Sequence, residues 1–253
     1  MNMKMNLIQV ILVVFPITFV IGQTKPTVYT FQGKFNSRFE RSDNFNQYKG
    51  WLIVDGDKSL FTMKKDKGSL ISDDQHNIDL SPDSIFTVYK DFESNSLLFD
   101  FSDIRQRTHV FADTLFPMQW IHHNEQRTIG GIPCLKAVTQ FKGRGYTAWY
   151  APSITIADGP WKLGGLPGMI LEAYDDADQW HMTLSSIQEG AGFEKKHFES
   201  AIANGVEGFP AFASFVKKMF DRLTASLGTQ SAVDCVDCQT KPRITIYSWE
   251  KID

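Results

Sequence analysis

The sequence predicts a mainly β protein of the α+β class: a curved antiparallel sheet, shaped like a bowl or half-barrel, with one long helix packed on it. Alternating apolar and polar stretches recur between short turn segments, as in successive hairpins. One stretch shows the three- and four-residue apolar spacing of an amphipathic helix. The chain also holds 20 phenylalanines, and aromatic side chains favour sheets.

Four pairs of strands are predicted as hairpins because each pair flanks a short polar turn. The turn Asp55–Lys58 contains an Asp-Gly pair, whose glycine supplies the positive φ of a tight hairpin turn. The first strand is predicted at Val28–Glu40. The predicted pairs are Tyr48–Val54 with Ser59–Lys64, Ser84–Lys90 with Leu97–Phe101, Cys134–Phe141 with Tyr146–Tyr150, and Met169–Tyr174 with Trp180–Ile187.

The predicted helix lies late in the chain. Its apolar positions are Phe212, Phe215, Val216, Met219, Phe220 and Leu223. Pro210 suits its first turn, where a missing N–H costs no hydrogen bond, and Gly228 is predicted to end it. Arg243–Trp249 alternates again and is predicted as a last strand that closes the sheet.

Composition and the N-terminus indicate an exported globular protein. The 253 residues carry a net charge of −3, with 42% hydrophobic and 22% charged residues, which is typical of a folded domain. This balance argues against a nucleic-acid-binding protein. Residues 1–22 contain Lys4 and then an apolar run of signal-peptide length, so we expect cleavage after Gly22. Residues 23–253 are predicted to form one domain that is not an integral membrane protein.

The stretch GPWKLGGLPGMILEAYDD, residues 159–176, raises the question of a phosphate-binding loop. A P-loop needs Lys and then Ser or Thr after its last glycine, and it opens a helix. Here the loop lacks that pair and precedes a predicted strand. Leu166–Met169 suits a type II turn instead, and Gly159-Pro160 suits an earlier corner. The predicted structural turn residues are Gly159, Pro160, Gly165, Leu166, Pro167 and Gly168.

The three cysteines leave alternatives open. Cys235 and Cys238 form a CxxC, which an oxidising compartment favours as a local disulfide. A zinc site that adds His122 or His123, and a redox-active dithiol, are the other two interpretations. Cys134, on an apolar strand, is predicted as a buried free thiol.

Three aromatic side chains and two cations flank the glycine-rich stretch. The rings suit either core packing or stacking on a ligand, and the cations are expected to form surface ion pairs. The aromatic residues are Trp149, Tyr150 and Trp161, and the cations are Arg144 and Lys162. Their expected partners are Glu172 and Asp158. The two adjacent histidines, His122 and His123, are expected to lie on a strand, with one facing inward and the other solvated. Asp175, Asp176 and Asp178 are expected to form a solvated hairpin tip.

Residues 129–175 carry three blocks of glycine, aromatic and charged residues. The blocks are Ile129-x-Gly131 with Cys134-x-Lys136-Ala137, Gly143-Arg144 with Ala148-Trp149-Tyr150, and Gly159–Lys162 with Gly165–Ile170. In order and spacing they resemble the signature of the GLPGLI family, exported proteins of Gram-negative bacteria, with Met169 where the family name has leucine. The resemblance implies a mostly antiparallel β domain, similar to the bowl-shaped N-terminal part of some bacterial glycosidase-like amidases. It implies no catalytic residue.

These observations predict a periplasmic or secreted protein without enzymatic activity, cofactor or metal. It is expected to bind a small apolar or peptide-like ligand, or an outer-membrane protein. The candidate binding residues are Arg144, Trp149, Tyr150, Trp161 and Lys162. One alternative is a hydrolase-like or metal-dependent enzyme built on His122 or His123, Asp158 and Arg144. The second is a thiol–disulfide protein that uses the CxxC.

Overall fold

The computed structural model describes residues 25–36, 45–66, 84–102, 107–115, 118–177, 179–193, 198–199, 203 and 205–230. The predicted signal peptide, the Cys235–Cys238 pair and the predicted strand Arg243–Trp249 lie outside these residues. In the described part of the chain, no helix is both long enough and apolar enough to span a membrane.

Twelve strands form one open, curved sheet, and a long helix, α1 (Phe209–Gln230), follows them. The strands are β1 (Thr27–Asn36), β2 (Phe45–Asp55), β3 (Lys58–Lys65), β4 (Ser84–Asp91), β5 (Ser96–Ser102), β6 (Thr108–Thr114), β7 (Ile121–Ile129), β8 (Ile132–Phe141), β9 (Arg144–Ala151), β10 (Met169–Asp175), β11 (Trp180–Glu189) and β12 (Glu207–Gly208). Their order across the sheet is β12-β6-β5-β4-β3-β2-β1-β11-β10-β9-β8-β7. Neighbours run antiparallel, except that β12 pairs with β6 in parallel. The predicted fold class is confirmed.

The four predicted hairpins are confirmed as β2–β3, β4–β5, β8–β9 and β10–β11. Gly56 in the first of these turns has a φ of 61°, the left-handed conformation expected of its Asp-Gly pair. The sequence did not predict β6 or β12, and it placed His122 and His123 on a strand without indicating the bounds of β7. For β7 the reason is physical: alternation arises when one face is buried, and residues 121–126 of this strand are all exposed.

The connection between β6 and β7 shows how far the sheet curls. These strands lie ten positions apart in the sheet order, which in a flat sheet is about 48 Å at about 4.8 Å per strand. Only residues 115–120 join Thr114 to Ile121, and an extended chain of that length reaches at most about 25 Å. The sheet therefore bends until its two ends approach each other, without pairing to one another.

One face of the sheet is buried, and we call it the covered face. A row of side chains that stand opposite one another in register crosses it: Tyr29, Leu52, Phe61, Val88, Phe99 and Phe111. Helix α1 packs on this row through Phe212, whose ring centre lies 5.0 Å from that of Phe99 and 5.2 Å from that of Phe111. The predicted helix is confirmed, and it ends at Gln230, two residues beyond Gly228.

The segment between β11 and α1 passes around the β6 edge of the sheet. On the face opposite the covered face, which we call the outer face, Phe198 stacks on Tyr89 with ring centres 5.5 Å apart, and Phe193 contacts the same ring. β12 then pairs with β6, and α1 continues on the covered face. The protein's own chain therefore caps this edge, while β7 forms the opposite edge.

Candidate functional site

The glycine loop, residues 158–168, lies against the covered face and is held there by two ion pairs of opposite sense. Lys90 of β4 binds Asp158 of the loop, and Asp113 of β6 binds Lys162 of the loop. Each pair joins a charge on the sheet with the opposite charge on the loop. A reversed loop would bring like charges together, and a shifted loop would leave buried charges unpaired, so the two pairs favour one docked position.

The Lys90 ammonium is fully buried. Its Nζ donates to Oδ1 of Asp158 at 2.5 Å, to the carbonyl oxygen of Gly159 at 2.8 Å and to that of Leu163 at 3.1 Å. An ammonium has three N–H donors, and these three acceptors match them. Burial lowers the pKa of Lys90, against the opposing effect of Asp158. A group this enclosed cannot meet a substrate, so its role is to hold the loop.

Lys162, a candidate binding residue, is buried as well. Its Nζ lies 3.1 Å from Oδ2 of Asp113 and 3.4 Å from the centre of the Phe99 ring. Lys142, in the β8–β9 turn, donates to the same carboxylate and lies 3.0 Å from the centre of the Phe209 ring. Burial alone would raise the pKa of Asp113, but the two lysines outweigh it and lower that pKa. This contact joins β6, the glycine loop, the β8–β9 turn and α1.

The turn before β10 is not the predicted type II turn. The N–H of Gly168 donates to the carbonyl of Leu166 at 2.7 Å, which makes a γ-turn centred on Pro167. The N–H of Met169 donates to an earlier carbonyl of the chain, that of Ile154, at 3.0 Å. The requirement for glycine is nevertheless real: Gly168 has a φ of 150°, and a Cβ there would lie 2.3 Å from a backbone oxygen of β9.

The other predicted turn residues have separate roles. Gly165 has a φ of 80°, and its N–H donates to the carbonyl of Ala157 at 2.9 Å. Gly159 permits close packing, because a Cβ there would lie 2.7 Å from Cβ of Ile170. Pro160 and Leu166 are buried. The stretch is therefore a packed segment of the protein's own core rather than a ligand cradle.

Trp161 adopts the left-handed backbone conformation, with a φ of 55°, which is uncommon for a bulky residue. Its ring is buried, with ring centres 6.0 Å from Phe141, 6.0 Å from Tyr146 and 5.9 Å from Trp180. Such a backbone conformation costs about 1–3 kcal/mol, and the aromatic packing offsets it. Of the two interpretations of this ring, the structure places it in the core.

Arg144 stabilises the β10–β11 turn through hydrogen bonds. Its Nη1 donates to Oδ2 of Asp175 at 2.8 Å and to Oε1 of Gln179 at 2.7 Å, and the same aspartate accepts the backbone N–H of Gln179 and of Trp180. Asp175 is buried, so its predicted place in a solvated tip is wrong. The surface pairs predicted for Arg144 and Lys162 are also wrong, because both cations bind other, buried carboxylates.

Trp149 and Tyr150 are adjacent on β9 and therefore face opposite sides of the sheet. The Tyr150 hydroxyl lies 3.1 Å from Nδ1 of His122. His123 stands opposite Lys136 in the register, whereas His122 stands opposite Ala137, so the two histidines face opposite sides of the sheet as predicted. Both are exposed, however, so the expectation that one of them faces inward is wrong. The candidate binding residues are thus divided between the two faces and do not form one site.

The residues of the enzymatic alternative are held in separate contacts. His122 contacts Tyr150, Asp158 binds the ammonium of Lys90, and Arg144 binds a carboxylate at the end of β10. The side chain of Asp158 is completely buried. The structure therefore does not bring these groups together. Among the residues that the structure describes, no group of three or more His, Cys, Asp and Glu side chains could hold a metal ion.

Sequence reasoning missed a polar cluster on the outer face, formed by Arg127, Trp149, Glu172, His181 and Thr183. Oε1 of Glu172 lies 2.8 Å from Nε2 of His181, and its Oε2 accepts a hydrogen bond from Nη2 of Arg127. Oγ1 of Thr183 lies 3.1 Å from the same histidine nitrogen, and the Arg127 guanidinium lies 4.3 Å from the centre of the Trp149 ring. These residues come from β7, β9, β10 and β11, so only the strand order could have revealed them.

The edge strand β7 is the second feature that the sequence did not reveal. Its residue Ile121 is 64% exposed, the most exposed of the large apolar side chains described. β7 pairs with β8 along one edge, with a bulge between His123 and Gln126. Within the described residues, no strand pairs with its other edge. In the part of the chain that the structure describes, the backbone N–H and C=O groups of that edge therefore face no other strand.

Cys134 is a buried free thiol, as predicted. Its Sγ lies 3.4 Å from the carbonyl oxygen of Ile132. Burial raises the pKa of this thiol. A protonated, enclosed thiol is a weak nucleophile, so Cys134 fits a structural role.

Comparisons with known proteins match part of the chain to an uncharacterised family and match its fold to two solved structures. Residues 140–172 match the model of a family described as a protein of unknown function, Porph_ging. No curated protein matches the chain. Two solved structures, both described as PNGF-II, in a C2 and a P21 crystal form, have a TM-score of 0.51 to this chain, with 16% and 14% identity. They match over 78% of this chain, which spans 33% and 34% of theirs.

This chain therefore spans about a third of the length of the two structures that it resembles. At such low identity the likeness concerns the fold alone. The matched family segment contains the whole glycine loop, all of β9 before it and the first four residues of β10 after it. The predicted likeness to a family of unknown function is confirmed in this coarser form.

Proposed function

We propose that this is an exported, non-enzymatic protein of the GLPGLI type that binds an extended segment of a partner protein along β7. The observation that carries the proposal is the difference between the two edges of the sheet. The protein's own β12 caps the β6 edge, whereas residues 121–126 of the β7 edge are exposed. An exposed edge strand offers a row of backbone donors and acceptors to a peptide that adds as a further strand.

The side chains of β7 favour selective rather than indiscriminate pairing. Ile121 offers an apolar contact at the start of the strand. Glu125 is bound to Lys136 on the neighbouring strand β8, and Arg127 is bound to Glu172 on β10. The bulge after His123 interrupts the regular ladder, which discourages pairing with a second copy of the same edge. A partner segment must therefore match both the apolar start and the bulge.

The covered face favours a peptide over a small apolar ligand. The glycine loop and α1 fill it with the protein's own side chains, including the buried rings of Trp161 and Phe212. An apolar ligand on that face would have to displace this packing, with its two buried ion pairs. A peptide on the β7 edge requires no such displacement.

Export is part of the proposal and rests on the signal-peptide pattern of residues 1–22. Expression of the full chain in a Gram-negative host tests it directly. Intact-mass measurement of the periplasmic or secreted product should give a chain that begins at Gln23. Retention of the uncleaved chain in the cytoplasm would overturn the proposal of export. It would not bear on the proposal that a peptide binds along β7.

Selection of phage-displayed random nonapeptides on the purified protein tests the binding function. The length matches the nine residues of β7. Enriched peptides should protect the backbone amides of residues 121–129 from hydrogen exchange. Ile121→Lys, and Asn124→Pro within the bulge, should each weaken binding about tenfold or more, since each removes a contact that only the edge supplies.

The matched control is Ile187→Lys, which makes the same change at the other exposed isoleucine, on the interior strand β11. It should leave peptide affinity unchanged. The proposal fails if no peptide is enriched, if Ile121→Lys and Ile187→Lys behave alike, or if those amides of β7 that point away from β8 are already protected in the free protein.

A further inference from the structure

We propose that the polar cluster on the outer face is a binding site for a carboxylate group. The cluster lies on the outer face of β7 to β11, and the proposal does not depend on peptide pairing at the β7 edge. It would take a ligand with a free carboxylate, either a peptide C-terminus or an acidic side chain.

Glu172 positions the two side-chain groups of the site that carry N–H donors, the Arg127 guanidinium and the His181 imidazole. One of its carboxylate oxygens binds Arg127 and the other lies 2.8 Å from His181, so the guanidinium and the imidazole are held side by side. The side chain of Glu172 is 10% exposed, whereas those of Arg127 and His181 are 34% and 31% exposed. The Glu172 carboxylate therefore lies deeper in the cluster, and the Arg127 guanidinium and the His181 imidazole reach solvent.

Two buried donors in the cluster lack an acceptor among the described residues. They are Nε of Arg127 and the indole Nε1 of Trp149. These groups are neighbours, because the guanidinium lies 4.3 Å from the centre of the indole ring. A buried donor without an acceptor is costly, and native sites that tolerate one commonly serve a bound group. An oxygen-rich ligand would supply the acceptors that the protein does not.

The residue types suit a carboxylate in particular. Arg127 has a planar guanidinium with five N–H donors, a geometry that matches the two oxygens of a carboxylate. One hydrogen of Nη2 goes to Glu172, which leaves the other hydrogen of Nη2 and those of Nη1 for a ligand, and the group lies over the Trp149 ring. Lys136 stands opposite Trp149 in the register and adds a further cation, although Glu125 is bound to it. The hydroxyl of Thr183 adds a third polar group beside His181.

The same geometry argues for binding rather than nucleophilic catalysis. In a Ser/Thr–His–acid relay, the hydroxyl and the carboxylate contact different nitrogens of the imidazole. Here Thr183 and Glu172 both contact Nε2 of His181. The hydroxyl proton of Thr183 therefore has no relay through this ring.

NMR titration of the purified, uniformly ¹⁵N-labelled protein tests the site. The probes are N-acetylglycine, which resembles a peptide C-terminus, N-acetylaspartic acid amide, which offers a side-chain carboxylate, and the neutral N-acetylglycinamide. The indole N–H signal of Trp149 should shift and saturate with at least one acid and should not respond to the neutral amide. The acid that binds more tightly identifies the source of the carboxylate.

Arg127→Gln should weaken acid binding about tenfold or more, as expected for the loss of charge-assisted hydrogen bonds. Arg127→Lys keeps the charge without the fork and should recover only part of the affinity. Arg222→Gln, the same change at an exposed position of α1, is the matched control and should have no effect. Hydrogen exchange of the β10 amides checks that each variant keeps the sheet.

The proposal is overturned if neither acid gives a saturable shift, if the neutral amide binds as well as the acids, or if Arg127→Gln binds as tightly as the wild type. Asn124→Pro separates the two proposals. It should weaken peptide binding at β7 about tenfold or more and leave the affinity for N-acetylglycine unchanged.

Discussion

Lys90 and Asp158 form an ion pair in which both side chains are completely buried, with Nζ 2.5 Å from Oδ1. Taking two charges out of water is costly, so such a pair is retained where it specifies a structure rather than where it merely adds stability. Here it specifies the docked position of the glycine loop, together with the reversed pair of Asp113 and Lys162. The glycine loop is thus an internal part of the fold.

Asp158→Asn should destabilise the protein by about 3–5 kcal/mol, because it leaves the buried Lys90 ammonium without its counter-charge. The free energy of unfolding from urea titration measures this loss. Asp57→Asn is the matched control, since it breaks a solvent-exposed pair with Lys58 and should change stability little. The double variant Lys90→Met with Asp158→Leu should be clearly more stable than Asp158→Asn. Equal stability of Asp158→Asn and Asp57→Asn would contradict the role of the pair.

Asp113 should make stability depend on pH in acid. Its pKa in the folded protein lies below the usual value of 3.8, so the unfolded chain takes up a proton first as the pH falls. The stability that the charged form contributes is therefore complete at neutral pH and is lost as the pH falls through the folded-state pKa. Urea titrations of the wild type and Asp113→Asn should differ most at neutral pH and converge as the pH falls below the usual aspartate value of 3.8. A difference that stays constant with pH would contradict this assignment.

The sequence could reveal the local elements but not their long-range pairing. The Asp-Gly turn and the apolar spacing of Phe212 and Val216 are signals within a few residues, and they predicted a hairpin and the helix correctly. Lys90 and Asp158 are 68 residues apart, and nothing within either segment indicates the other. Their contact depends on the strand order and on the curl of the sheet.

The candidate site shows the same limit. Trp149 was predicted as a candidate because it is aromatic and near the glycine loop, yet its partner is Arg127 on the outer face. Glu172 was expected to meet Arg144 or Lys162, and it binds Arg127 and His181 instead. Alternation along a strand decides the face of each residue, but the strand order across the sheet decides its partner. Arg127 of β7 meets side chains of β9 and β10, two and three positions away.

Gly168→Ala should be far more damaging than Gly131→Ala. Both glycines have a positive φ, but a Cβ at Gly168 would lie 2.3 Å from the carbonyl oxygen of Ala151, whereas at Gly131 it would meet nothing within 4 Å. We expect a loss of about 3 kcal/mol or more, or failure to fold, for Gly168→Ala. Gly131→Ala should lower the free energy of unfolding by only about 1–2 kcal/mol, the cost of a left-handed backbone conformation for a residue with a Cβ. Thermal unfolding and soluble yield compare them, and similar losses would rule out the steric explanation.

Thiol counting separates the three interpretations of the CxxC. Cys134 is buried with a raised pKa, so it should not react with a thiol reagent in the native protein and should react once the chain is denatured. A disulfide between Cys235 and Cys238 predicts one reactive thiol in denaturant and three after reduction, for the three cysteines of the chain. A zinc site predicts three thiols in denaturant, with zinc released, and a reduced dithiol predicts three without zinc. Cys134→Ser should remove the single thiol if the disulfide is present, so two remaining thiols would overturn that prediction.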